Sequence, residues 1–178
     1  VLIETDLDGM TCYAAGATAT LGEPVIETGV FDFAQRLDRT SRAIVKACRY
    51  VPQGLRGMAQ GIIRASNFGY DAADYVKTAN ENLLVICQIE TVEAVANIEE
   101  LVAVEGVDMF FIGPNDLSAS NNTHGQYDNP SFMALMEKVE KTVLASDKLL
   151  ATIPYGTHSW QDNFDNGYHM TTAGADVA

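Results

Sequence analysis

Basic residues are scarce in this chain: 11 Lys and Arg stand against 24 Asp and Glu, a formal net charge of −13 over 178 residues. A surface of that sign repels phosphate backbones and anionic lipid, which argues against nucleic-acid and membrane partners. The acids are scattered rather than blocked, so most of them read as a solvated surface. Cysteine is rare too. Cys12, Cys48 and Cys87 are odd in number and far apart, and no pair has zinc-site spacing. A reducing, cytoplasmic-type compartment is the expectation. Cys87 falls inside the apolar run Leu84-Val85-Ile86-Cys87, so its thiol is expected to be buried. No stretch approaches the about 20 apolar residues that span a bilayer. No Gly-rich phosphate fingerprint follows a strand, and neither Ser118 nor Ser120 sits in a Gly-x-Ser-x-Gly elbow, which weakens dinucleotide binding and serine hydrolysis. The start, Val1-Leu2-Ile3-Glu4-Thr5-Asp6, lacks a basic leader and an initiator Met, and opens in a strand-like run. Residues of the native polypeptide are therefore expected to precede Val1.

What is present suits one globular domain, residues 1–178, with 47% hydrophobic and 20% charged residues and enough length for a substantial core. From residue 70 onward, strand and helix patterns alternate. Asp71 to Asn82 reads as a helix with Ala72, Tyr75, Val76 and Ala79 on one face. Leu83 to Ile89 is the continuous apolar run of a parallel strand buried on both sides. Thr91 caps a helix striped by Val95, Ile98, Leu101 and Val102. Gly106 ends it, and Val107 to Ile112 is a second buried strand. Pro130 opens a helix along Phe132, Leu135, Met136, Val139 and Val143. Leu149 to Pro154 is a strand, Trp160 to Asn166 a short helix and Met170 to Ala173 a last strand. Ahead of these, Val1 to Thr5 reads as a strand and Ser41 to Arg49 as a helix end, with Arg42, Lys46 and Arg49 complementing its dipole. Gly16, Gly22, Pro24 and Gly29 interrupt the region between. Repeated strand–helix–strand units imply parallel pairing with right-handed crossovers, hence an α/β fold: a (β/α)₈ barrel or an open doubly wound sheet.

Two polar clusters end apolar strands: Gln88-Ile89-Glu90-Thr91 after the first, and Gly113-Pro114-Asn115-Asp116-Leu117-Ser118 after the second. Ligands of parallel α/β folds gather at the carboxyl ends of strands. Glu90 and Asp116 are separated by one strand–helix–strand step, which places them on neighbouring strands at one rim. Alone, each reads equally well as an acid complementing a helix dipole. Together they repel unless a proton or cation lies between them, and a hard divalent ion such as Mg²⁺ or Mn²⁺ fits two carboxylates with room for water and a chelating substrate. Co²⁺ and Zn²⁺ are alternative ions. Gly113, Pro114, Asn115 and Asp116 form a turn whose N–H groups can hold a small carboxylate. An α-keto acid would then chelate the ion, which acts as a Lewis acid for an enolate. His158 follows a strand at the same rim and is a candidate pocket residue. His124 and His169 have no partner at ligand spacing, and Trp160 is expected in the core.

These residues carry a specific likeness. Tyr50-Val51-Pro52-Gln53-Gly54-Leu55-Arg56-Gly57, then Gln88-Ile89-Glu90-Thr91, then Glu105-Gly106-Val107-Asp108 running into Ile112-Gly113-Pro114-Asn115-Asp116-Leu117-Ser118, resemble the HpcH/HpaI aldolase family, the class II pyruvate aldolases that act on 4-hydroxy-2-oxo acids. The likeness covers roughly residues 40 to 178. It implies a TIM-type barrel and a carbon–carbon lyase that forms or cleaves a bond next to a pyruvate unit, with a 2-oxo acid and an aldehyde as its small-molecule partners. It further implies Glu90 and Asp116 as metal ligands, Gly113, Asn115 and Asp116 in the turn that contacts the pyruvate carboxylate, Gln88 as a glutamine supporting a metal-bound water, a structural role for Arg56 and Gly57, and a homo-oligomer.

The chain also departs from that pattern. The family's early Asp-x-Glu-His run corresponds to Ile3-Glu4-Thr5-Asp6-Leu7, with Leu7 in place of the His, and Leu is no general base. The family's Pro-Val-Val-Arg corresponds best to Pro24-Val25-Ile26-Glu27, with Glu in place of the Arg. A complete barrel needs about 250 residues. A first strand, the C-terminal helix and part of residues 10–40 are therefore expected to be missing, either because the sequence is part of a full enzyme, the expectation favoured since an opened barrel exposes strand edges, or because the chain is a shortened relative. Two other readings stand beside the lyase. One is a non-catalytic, oligomer-forming relative that has lost the His and Arg. The other is a lyase acting on a coenzyme A thioester, which would need a basic groove that this acidic chain does not advertise.

Overall fold

The computed structural model describes residues 5–7, 10–15 and 37–172, the first two segments and residues 37–40 as backbone. The elements in order are β1 (Thr5–Leu7), β2 (Met10–Ala15), α1 (Leu37–Cys48), a 3₁₀ segment (Arg64–Gly69), α2 (Ala72–Thr78), β3 (Leu84–Ile89), α3 (Val92–Ala96), α4 (Ile98–Val102), β4 (Met109–Ile112), α5 (Pro114–Ser120), α6 (Pro130–Leu144), β5 (Leu149–Thr152), α7 (Trp160–Asp165) and β6 (Met170–Thr171). They build an α/β fold around one sheet ordered β1-β2-β3-β4-β5-β6. Strands β3 to β6 are parallel, as the alternating pattern implies. At the other edge β1 and β2 form an antiparallel pair, and β2 runs antiparallel to β3, which the expectation of uniform parallel pairing does not contain. Among the described residues the sheet is open, with β1 and β6 as its edges, so they do not close a barrel. The proposed alignment of Pro24-Val25-Ile26-Glu27 lies outside the described residues, and Leu7 is described in its backbone alone.

Side-chain alternation divides the sheet into two faces. Val85, Cys87, Ile89, Phe110, Ile112 and Leu150 pack against Val95, Ile98 and Leu101 of α3 and α4 and against Phe132, Met136, Val139 and Val143 of α6. Burying each of the larger aliphatic side chains contributes roughly 1.5–3 kcal/mol relative to exposure. Ile86, Met109 and Ala151 form a second cluster with Leu84, Phe111, Leu149 and Met170, so the central strands are buried on both faces. Gln88 belongs to this second face by parity, and Glu90 follows one step beyond the strand. Trp160 departs from expectation: it is 54% exposed and packs edge-on to Phe164 at the surface. Among the described residues no helix is long and apolar enough to cross a membrane.

The segment from Tyr50 to Gly57 locks α1 to the rest. Gly54 N–H donates to Tyr50 O, Leu55 N–H to Lys46 O and Arg56 N–H to Arg49 O. A Cβ on Gly54 would stand within 3 Å of the Arg49 and Lys46 carbonyl oxygens, so no side chain fits. Arg56 lies over the Tyr50 ring at 4.5 Å, the structural role expected of it. Arg49 does more than complement a dipole, donating to the carbonyls of Asn80 and Gly106. Asn80 Oδ1 accepts from Tyr50 N–H at 2.8 Å, and its Nδ2 donates to Tyr50 O at 3.0 Å and Gln53 Oε1 at 2.7 Å. Asn80→Ala strips these bonds from a buried residue, and a loss of about 2–3 kcal/mol is expected from the urea unfolding midpoint. A loss under about 0.5 kcal/mol would show that water replaces them.

Candidate active site

The site is set by where β3 and β4 stop. Their register pairs Gln88 with Phe111 and Ile89 with Ile112, so Glu90 and Gly113 come level one residue further on. The β4–β5 register pairs Ile112 with Thr152, which brings Ile153 to the same rim. Gly113 N–H donates to Ile89 O at 3.0 Å, and Thr152 Oγ1 to Ile112 O at 3.0 Å. Gln88 and Glu90 share strand parity, and both are nearly buried, at 8% and 9% exposure.

Gly113 lies directly against them. A Cβ built there would stand 2.6 Å from Gln88 Nε2 and 3.2 Å from both Cβ and Oε2 of Glu90. Its φ of −94° is open to any residue, so glycine is required here by close approach and not by a left-handed backbone. Gln88 Oε1 is buried and has no hydrogen-bond partner among the described residues. A buried acceptor left unmade costs about 1–3 kcal/mol, a cost found where a ligand or water is to be received.

Pro114 opens α5, a helix where the sequence suggested a turn; Pro at a first helical position gives up an N–H that has no partner there anyway. Leu117 N–H closes the first turn on Gly113 O at 2.9 Å, leaving the N–H groups of Asn115 and Asp116 ahead of the ladder. Asp116 is exposed on this first turn, and Asn115 Oδ1 accepts from the Tyr127 hydroxyl. The two strand ends are tied together again further out. Thr91 Oγ1 caps α3 by accepting from Ala94 N–H at 3.0 Å, and Ser120 Oγ accepts from Val92 N–H at 3.0 Å. Ser118 is a knot and not a nucleophile: its buried hydroxyl donates to Asn115 O and accepts from Gly125 N–H, while its carbonyl accepts from Thr123 and His124.

The predicted residues are thus distributed unevenly. Gln88, Glu90 and Gly113 are in contact, and Pro114 to Asp116 continue from them. His158 is at the rim but exposed, stacked at 4.8 Å on Tyr155. It lines a shallow cavity of about 300 Å³ with Thr157, Asp162, Asp165 and Asn166, so its neighbours come from the β5–α7 connection and α7. Tyr127 belongs to the loop Gly125-Gln126-Tyr127-Asp128-Asn129-Pro130, which reads from the sequence as a loop near the mouth that could shape specificity, whereas no role for Tyr155 was expected. Both are aromatic residues in loops that follow strands or line the mouth, which is the signal that could have marked them.

A family model described as HpcH/HpaI aldolase/citrate lyase matches residues 37–178. The chain belongs to this family. A hydroxypyruvate/pyruvate aldolase from Cupriavidus necator is 36% identical over 137 residues, covering 77% of this chain and 51% of that protein. A 4-hydroxy-2-oxo-heptane-1,7-dioate aldolase from Escherichia coli is 40% identical over 108 residues, covering 61% and 41%. A crystal structure of an HpcH/HpaI aldolase/citrate lyase family protein from Burkholderia cenocepacia superposes with a TM-score of 0.72 at 32% identity, covering 79% of this chain and 55% of that one. The chain spans about half the length of the curated relatives it matches. Residues 1–36, with Leu7 and Glu27, lie outside the matched range.

Proposed function

We propose that this chain carries the metal- and pyruvate-binding part of a class II pyruvate aldolase, built on a (β/α)₈ barrel of which the parallel strands β3 to β6 are a sector. The single observation that carries the proposal is the contact of Gln88, Glu90 and Gly113 at the carboxyl ends of adjacent parallel strands, with Asp116 one turn further on. The oxygen donors suit a hard divalent ion: the Glu90 and Asp116 carboxylates, with the Gln88 amide oxygen, which has no partner among the described residues, beside them. Among the described residues, no cluster of three or more His, Cys, Asp and Glu side chains could hold a metal. Two protein carboxylates, Glu90 and Asp116, would hold Mg²⁺ or Mn²⁺ with water and substrate completing the shell.

When bound, the ion supplies Lewis acidity to the keto and carboxylate oxygens of a 2-oxo acid. The chain's own residues do the rest. The Asn115 and Asp116 N–H groups receive the substrate carboxylate, and Gly113 lets Gln88 and Glu90 pack closely beside that turn. Gln88 Oε1 accepts from a water or substrate hydroxyl, fixing its orientation. In the cleavage direction the 4-hydroxyl passes its proton to the water held at Gln88, the C3–C4 bond breaks to release an aldehyde, and the resulting pyruvate enolate takes a proton back at C3 from that water. The names of the two aldolase relatives support a pyruvate unit as the common part of the substrate.

The test is a pyruvate-release assay on 4-hydroxy-2-oxo acids, run with Mn²⁺ and with EDTA. Turnover that EDTA abolishes and Mn²⁺ restores is expected. Absence of turnover under both conditions, with a folded protein that binds neither Mn²⁺ nor pyruvate, would favour the non-catalytic scaffold.

A further inference from the structure

The loop between α5 and α6 carries a tyrosine that the chemistry above does not use. Tyr127 is half-buried, and its hydroxyl donates to Asn115 Oδ1. Its ring packs edge-to-face on Phe132 and on Tyr155, with centroids 5.5 Å away in each case. Gly156, at φ +55°, passes so close that a Cβ there would lie 3.1 Å from Cδ2 and 3.2 Å from Cβ of Tyr127. Tyr127 therefore touches two rim loops at once: the first turn of α5 through Asn115, and the β5–α7 connection through Tyr155 and Gly156. The loop that presents it is itself pinned, by Gly125 N–H on Ser118 Oγ at 2.8 Å and by Asn121 Nδ2 on Ser131 Oγ at 2.8 Å.

We infer that Tyr127 is a positioning residue for the 2-oxo acid site, acting through Asn115. The inference rests on the function proposed above and adds a residue to it. Asn115 is exposed, and an exposed amide rotates among its rotamers unless something holds it. The Tyr127 hydroxyl holds it by occupying Oδ1, which leaves Nδ2, a donor, as the open end of the amide. A fixed donor beside a turn that receives a carboxylate suits an anionic substrate. The ring, clamped by Phe132, Tyr155 and Gly156, gives that hydroxyl a rigid mount.

The experiment compares the whole native chain with Tyr127→Phe, Asn115→Ala and the double variant, using pyruvate in the presence of Mn²⁺ as the probe. Pyruvate dissociation constants are read by calorimetry, with KM and kcat from the release assay and thermal midpoints alongside. Tyr127→Phe keeps the ring and is expected to leave the midpoint unchanged while weakening pyruvate binding about tenfold. KM should rise by the same factor and kcat change less than about threefold. Asn115→Ala should show the same loss, and the double variant should be no worse than Asn115→Ala alone. Native-like pyruvate binding by Tyr127→Phe would overturn the inference, as would losses that multiply in the double variant. If Tyr127→Phe does not fold, native-like binding by Asn115→Ala overturns it instead. If the native chain with Mn²⁺ binds no pyruvate, the proposed function itself fails and this role with it.

Discussion

Glu90→Gln is expected to lower kcat/KM for pyruvate release by about a thousandfold while the thermal midpoint stays within a few degrees of native. The substitution is isosteric, so the contact with Gly113 persists and the buried volume is unchanged. What disappears is the negative charge of a side chain 9% exposed. With size and packing kept, the midpoint is expected to move little while activity falls steeply, and that split separates a ligand from a structural acid. A Glu90→Gln enzyme retaining more than about a tenth of native kcat/KM would remove Glu90 from the metal site. Asp116→Asn should cost a similar factor in turnover, and because Asp116 is exposed, even less in stability.

The second large effect is expected at Gly113. Gly113→Ala puts a methyl group 2.6 Å from Gln88 Nε2, well inside van der Waals contact. The backbone cannot retreat easily, because Gly113 N–H is held by Ile89 O and its carbonyl by Leu117 N–H. Gln88 must rotate away, and Glu90, 3.2 Å from the new carbon, must shift with it. A displacement on the order of 1 Å in such a constellation costs about a hundredfold in rate, and overpacking costs about 1–3 kcal/mol in stability. Gly61→Ala is the control, since a Cβ there meets nothing within 4 Å. Equal kinetics for the two variants would show that the close approach at Gly113 has no role in the reaction.

Much of this was legible in the residues. The apolar run at 84–89 announced a strand buried on both faces, and the stripes from Val95 to Leu101 and from Phe132 to Val143 announced the helices that cover one of them, because burial selects residue type with the period of the element. The meeting of Gln88, Glu90 and Gly113 was legible for a related reason: residues that break an apolar run at a strand end are exceptions, and these three do so at the ends of neighbouring strands. Helix α5 was not read, because Gly-Pro-Asn-Asp has turn chemistry and its helical continuation depends on Ser118 and Ser120 being tied to Gly125 and Val92. The antiparallel edge was not read either, since the pairing of Cys12 with Cys87 is between residues distant in the chain and leaves no local periodicity. Tyr127 and Asn115 meet because Asn122, His124 and Gly125 adopt positive φ, a loop shape that residue types alone do not dictate. Trp160 shows the limit of hydropathy, for an apolar residue at the start of a short helix carries no statement about which side it faces.

The claim on which the account depends is that Glu90 and Asp116 share one divalent cation. Titration of the native chain with Mn²⁺, followed by electron paramagnetic resonance of the free ion, tests it most directly. The account predicts a single saturable site in the native chain, weakened at least a hundredfold by either Glu90→Gln or Asp116→Asn. Native-like Mn²⁺ binding in either variant, or no saturable site in the folded native chain, would contradict it.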